Sequence, residues 1–208
     1  MIKIGITGGI GSGKSTVTDL LSLYGIPCFI ADIESKRIVD SSDVIREQLT
    51  SLFGPNIYTC EGLDRKQLAS YIFQDTMILN QVNKIIHPVV SNAYLQWVDA
   101  QTSEFTVIES AILFESGFDH LVDITLTISA PLALRTERAC KRDKCDVNAI
   151  KQRIKNQTTD EEKEIRADYV MQNSSKTSLI KQVEAFITAI TQKKSDYIEK
   201  KSAYNLQI

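Results

Sequence analysis

Ile2, Ile4 and Ile6 open the chain in a short β-prone run, and KIGIT reads as a strand buried in a parallel sheet. The apolar pattern stops at Thr7-Gly8-Gly9, and the next apolar positions, Val17, Leu20 and Leu21, have helical spacing. YGIPCFIAD gives a second short apolar run ending at Asp32, after which ESKRIVD and SDVIREQLTSLFG read as helices. LDRKQLASYIF predicts another helix, with Asp64 as its N-cap. A long helical stretch from about Met77 to Ala100 follows, with an interruption expected at His87-Pro88 because a residue before proline disfavours the helical region. FTVIES and VDITLTISA read as strands, and the pattern from Pro131 through Glu164 is helical and charge-rich. ADYVMQN is the last expected strand, and the amphipathic LIKQVEAFITAI leads into a polar tail over about residues 192–208 that is expected to fray. Alternating strands and helices without internal repeats predict an α/β fold: a doubly wound parallel sheet with helices on both faces. Ligands then bind outside the carboxyl ends of the strands.

The 208 residues, 43% of them hydrophobic, suit one medium domain able to bury a core. A net charge of −2 carries no concentrated basic surface and argues against general nucleic-acid binding. Cys28, Cys60, Cys140 and Cys145 form no CxxC and have no histidine at ligand spacing, so reduced cysteines are expected rather than disulfides or a zinc site. With no signal-like core and no run of roughly 20 apolar residues, the expectation is a soluble, cytoplasmic protein with no membrane contact. Nothing in the sequence points to a particular oligomeric state.

The segment between the first strand and the first helix changes the picture most. Gly8, Gly13, Lys14 and Ser15 fill the pattern G-x-x-x-x-G-K-[ST], in the strand–loop–helix context this phosphate-binding P-loop requires. Chance alone would fill these four positions in about one chain per hundred of this size. Glycines let backbone N–H groups converge on an anion, and the following helix adds its dipole. Lys14 can reach the β- and γ-phosphates of a nucleoside triphosphate, and the Ser15 hydroxyl can ligate Mg²⁺.

Strand ends rank the acidic residues. Asp32 and Glu109, at the ends of the second and third apolar runs, would face the phosphate crevice. Glu109 fits the carboxylate that supports Mg²⁺, with Glu115 as its rival, and Asp32 fits the group that orients or deprotonates an attacking hydroxyl. The plainer reading of each is a helix cap or a solvated strand end. Arg138 and Arg142 share one helical face, and Arg153 follows a break. These are either cations for the transferring phosphoryl group or a solvated charged face.

Several separated stretches resemble the dephospho-CoA kinase family of P-loop kinases. They are GITGGIGSGKSTV at the start, AD at 31–32, LDRKQLASYIF, IHP at 86–88, ILFE at 112–115, ERACKRD at 137–143, RIKNQ at 153–157 and ADYVMQN at 167–173. The resemblance implies a single kinase domain over 1–208, with a helical acceptor-binding region at about 60–100 and a lid at about 138–165. It implies transfer of the ATP γ-phosphoryl to the ribose 3′-hydroxyl of dephospho-CoA, with Mg²⁺. It also implies that Gly8, Gly9, Ile10, Gly11, Ser12, Gly13, Lys14, Ser15 and Thr16 hold ATP, with Arg138 and Arg142 from the lid. Asp32 matches the family's general base, and Arg142 is the arginine expected on the phosphates. Asp32, Asp64, Arg65 and His87 would serve the acceptor, although His87 equally suits a core histidine. Mg²⁺ would rest on Ser15, with Glu109 acting through water. Three positions depart from the family pattern: Ile30 and Glu109 stand where aspartates are usual, and Ala111 where a proline is usual.

Two other readings stand beside this one. A P-loop kinase can take another nucleotide, nucleoside or small metabolite, because specificity lies in the inserted helices. A nucleotide-dependent switch or ATPase needs no acceptor. Against a GTPase, Asn83-Lys84-Ile85-Ile86 lacks the aspartate of a guanine-reading NKxD.

Overall fold

The computed structural model describes residues 1–72, 75–155, 157–174 and 176–205, with side chains as far as Gln192. Strand β1 (Ile2–Thr7) passes through the glycine loop into α1 (Lys14–Leu23), and β2 (Cys28–Ile30) runs directly into α2 (Ala31–Ser41) and α3 (Asp43–Phe53). A small antiparallel hairpin, β3 (Tyr58–Thr59) with β4 (Gly62–Leu63), precedes α4 (Arg65–Ile72) and the long α5 (Thr76–Asp99). Then come β5 (Phe105–Glu109), β6 (Ile124–Ser129), α6 (Leu132–Asp143), α7 (Val147–Lys155), α8 (Asp160–Arg166), β7 (Tyr169–Gln172) and α9 (Leu179–Asn205).

Strands β1, β2, β5, β6 and β7 form one parallel sheet in the order β2-β5-β1-β6-β7. Both of its faces are covered, so β5 is buried at every position and its side chains serve two cores. Phe105 and Val107 join Ile4, Ile6, Leu126, Val17 and Phe186 under α1 and α9. Ile108 joins Phe29, Val39, Leu49, Val90 and Tyr94 under α2, α3 and α5. Asp168 ties β6 to β7 by accepting from both the backbone N–H and the hydroxyl of Thr125, each at 2.8 Å. Among the described residues, no helix is long and apolar enough to cross a membrane.

Four expectations change. Helix α5 runs unbroken through His87-Pro88. A proline inside a helix costs about 3 kcal/mol, but Val82 on one side of it and Val90, Tyr94 and Val98 on the other are all buried, each stabilising by about 1.5–3 kcal/mol. Asp32 lies in the first turn of α2 rather than at a strand end, because β2 stops at Ile30. The hairpin β3–β4 carries too few residues to leave an alternating pattern. Helix α9 continues to Asn205, past the end of the apolar periodicity; residues 206–208 lie outside the described residues.

Candidate active site

The carboxyl ends of β1, β2 and β5 open on one cleft of about 320 Å³. The glycine loop lines it with Ile10, Gly11, Gly13, Lys14 and Ser15. Strand β2 and helix α2 contribute Ile30 and Asp32, the end of β5 contributes Glu109 and Ala111, and α6 contributes Arg138, Ala139 and Arg142. Residues up to 132 positions apart in the chain therefore face one space, as the switch-point rule for parallel sheets requires.

Lys14 starts α1, and its ammonium donates to the Gly8 carbonyl at 3.0 Å and lies 3.8 Å from Glu109 Oε1. Burial pushes this ammonium below the usual lysine range, against the pull of Glu109 and then Asp32. Burial pushes the Glu109 carboxyl up, against the pull of Lys14. Asp32 is exposed to the cleft on the first turn of its helix, where the dipole favours a carboxylate. Arg138 turns a buried guanidinium nitrogen, Nη1, toward no protein partner. A buried unpaired donor is unfavourable, and an anionic oxygen in the cleft it lines would satisfy it. Arg142 stands at the rim, held by Asp143 through Nε at 2.7 Å and Nη2 at 3.2 Å, while Arg153 holds the same carboxylate at 2.7 Å.

Other expected site residues lie elsewhere. Gly8, Gly9, Ser12 and Thr16 belong to the loop and the first turn of α1 but do not line the cleft. Asp64 caps α4, accepting from the N–H groups of Lys66 and Gln67, and Arg65 pairs with Asp40 at 2.8 Å. His87 is half-buried on α5 with its ring centroid 6.0 Å from that of Phe118, and burial lowers its pKa. None of these three lines the cleft. Glu115, the rival of Glu109, does not line it. Although burial opposes this, the Thr158 N–H at 2.7 Å and Lys163 at 3.3 Å hold its carboxyl below the usual range.

Sequence reasoning gave no role to a second set of residues behind the loop. Arg135 is 2% exposed and pairs with Asp160; its Nη1 donates to the Ile10 carbonyl at 3.3 Å. Gln157 Oε1 accepts from the Ile10 N–H at 3.2 Å, and Asn173 Nδ2 donates to the Ser12 carbonyl at 2.7 Å. Lys163, fully buried, donates to the Ala111 carbonyl at 2.8 Å. One signal was visible: Arg135 sits four residues before Ala139 on the buried stripe of α6, where an unpaired charge is unfavourable.

The chain resembles known proteins over most of its length. The family model described as dephospho-CoA kinase matches residues 2–178. The dephospho-CoA kinase of Bacteroides fragilis strain YCH46 is 45% identical over 193 residues, covering 92% of this chain and 94% of the relative. The crystal structure of TT1252 from Thermus thermophilus superposes with a TM-score of 0.79 at 32% identity, covering 92% and 97% of the two chains. The dephospho-CoA kinase of Campylobacter jejuni does so with a TM-score of 0.65 at 26% identity, covering 92% and 98%. With the family model matching its residues 2–178 and a relative 45% identical over 92% of its length, the chain belongs to the dephospho-CoA kinase family.

Proposed function

We propose that this protein transfers the γ-phosphoryl group of ATP to the ribose 3′-hydroxyl of dephospho-CoA, giving coenzyme A and ADP. The observation that carries the reading is the convergence of Lys14, Asp32, Glu109, Arg138 and Arg142 on one cleft at the mouth of the glycine loop. Phosphoryl transfer asks little covalent chemistry of the protein; it asks for in-line positioning and cations around the transferring oxygens.

In this reading the loop N–H groups and Lys14 hold the β- and γ-phosphates, Arg138 meets them from α6, and Asp32 orients the acceptor hydroxyl. The bond from the γ-phosphorus to the β,γ-bridging oxygen breaks, its electron pair leaving with ADP. A bond from the 3′-oxygen to the γ-phosphorus forms, and Asp32 accepts the hydroxyl proton before passing it to solvent. The segment over about 138–165 acts as the lid, swinging Arg142 inward and excluding water that would otherwise accept the phosphoryl group. The α4–α5 region, with Arg65 and His87, belongs to the acceptor side.

The donors at the cleft also suit Mg²⁺. Ser15 offers a hydroxyl, and Glu109 and Asp32 offer carboxylates, an all-oxygen set. Among the described residues, no group of three or more His, Cys, Asp or Glu side chains is arranged to hold a metal by itself. Mg²⁺ beside nucleotide phosphates is usually held by one or two protein oxygens together with waters and substrate phosphates. Ser15 would hold it directly and Glu109 through water, and it would neutralise charge on the β- and γ-phosphates.

The test is the identity of the product. Incubation with Mg·ATP and dephospho-CoA should give a compound of coenzyme A mass whose new phosphorus resonance is that of a ribose 3′-phosphate. Phosphate at another position, or none transferred, would overturn the proposal.

A further inference from the structure

Residue Ile10 is bound from behind on both of its peptide groups. Its N–H goes to Gln157 Oε1 and its carbonyl to Arg135 Nη1. Neither Arg135 nor Gln157 lines the nucleotide cleft. Because a trans peptide points its C=O and N–H in opposite directions, holding the Ile10 carbonyl toward Arg135 turns the N–H of Gly11 the other way. Gly11 lines the cleft.

The same residues reach into the helices proposed as the lid. Arg135 is on α6, and its partner Asp160 opens α8. Gln157 lies between α7 and α8 and donates through Nε2 to the Ala111 carbonyl at 3.4 Å, beside Glu109. The packing is close enough to dictate sequence. A Cβ on Gly9 would lie 1.6 Å from Arg135 Nη1, and one on Gly11 would lie 2.2 Å from the Arg135 carbonyl oxygen. Both glycines occupy unspecified positions of the P-loop pattern, and the close approach of Arg135 leaves no room for a side chain at either.

We propose that Arg135 is a positioning residue for nucleotide binding. Together with Gln157 it fixes the Ile10 peptide groups, and through Asp160 it ties the first turns of α6 and α8, the two ends from which the lid extends, to the phosphate loop, so the loop is set before ATP arrives. The inference rests on the reading of this cleft as the ATP site.

Three variants separate positioning from plain stability: Arg135→Met, Arg135→Met with Asp160→Leu, and Gln157→Leu. For each, the melting temperature, the Kd for Mg·ATP without acceptor, and the KM values for ATP and dephospho-CoA are measured. Arg135→Met should lose both stability and ATP affinity, since it leaves Asp160 without its partner. The double variant replaces the ion pair by apolar contact and should recover stability. Its Kd and KM for ATP should nevertheless stay raised about tenfold or more, with the KM for dephospho-CoA unchanged. Recovery of wild-type ATP affinity along with stability would overturn the proposal. If the double variant does not fold, Gln157→Leu decides: a raised Kd for ATP at near wild-type melting temperature supports the proposal, and an unchanged Kd overturns it. A wild-type protein that fails to bind Mg·ATP would instead remove the reading of the cleft, and this inference with it.

Discussion

The Lys14 ammonium stands 3.8 Å from the Glu109 carboxylate, both nearly out of solvent, and each opposes the shift that burial imposes on the other. Burial lowers the pKa of Lys14, and Glu109 is the largest influence holding it up. Removing that carboxylate lets the Lys14 pKa fall further. In the proposed mechanism Lys14 acts as a cation, so its contribution would be lost as pH rises through its pKa. Glu109→Gln should therefore move the alkaline limb of the kcat/KM profile for ATP to lower pH than in wild type. An alkaline limb that stays in place would show that Lys14 is held charged by something else.

Lys14→Met should reduce kcat/KM by about 10²- to 10³-fold, the usual loss when one preorganised donor to a developing charge is removed. Steady-state kinetics in both substrates measure it. A variant with wild-type kcat/KM would take Lys14 out of the mechanism.

Asp32→Asn keeps the shape of the first turn of α2 and removes the carboxylate proposed as the base. The expected result is a kcat lower by about 10²- to 10⁴-fold, with the Kd for ATP near wild type. Near wild-type turnover would assign proton removal to solvent or to another group.

Gly11 and Gly25 have the same φ of 77°, yet their surroundings differ completely. A Cβ at Gly25 meets nothing within 4 Å, whereas at Gly11 it meets the backbone of Arg135. Gly25→Ala should cost about 1–2 kcal/mol of left-handed strain and leave activity intact. Gly11→Ala should cost more and weaken ATP binding. Thermal melts with ATP titrations compare the two directly, and equal effects would deny the loop–α6 contact any role.

The sequence made the phosphate loop and the sheet legible for physical reasons. The strands are short and largely apolar, with β1, β5 and β6 mostly buried, and Gly8, Gly13, Lys14 and Ser15 are close in the chain because one loop must supply them all. Asp32 and Glu109 were placed in the cleft by their positions after apolar runs, even though Asp32 proved helical. The uninterrupted α5 was not legible, since packing around Pro88 overrides a local preference. Nor was the clamp on Ile10. Gln157 is 147 positions away from it and Arg135 is 125, and no local pattern encodes such pairs.

The central claim is that the cleft phosphorylates dephospho-CoA, and acceptor-dependent ADP release tests it most directly. Purified protein with Mg·ATP is assayed alone and with dephospho-CoA, AMP, CMP, dTMP or adenosine. Strong stimulation by dephospho-CoA, and by none of the others, is the predicted result. Stimulation by one of the others, or ATP hydrolysis indifferent to every acceptor, would contradict it.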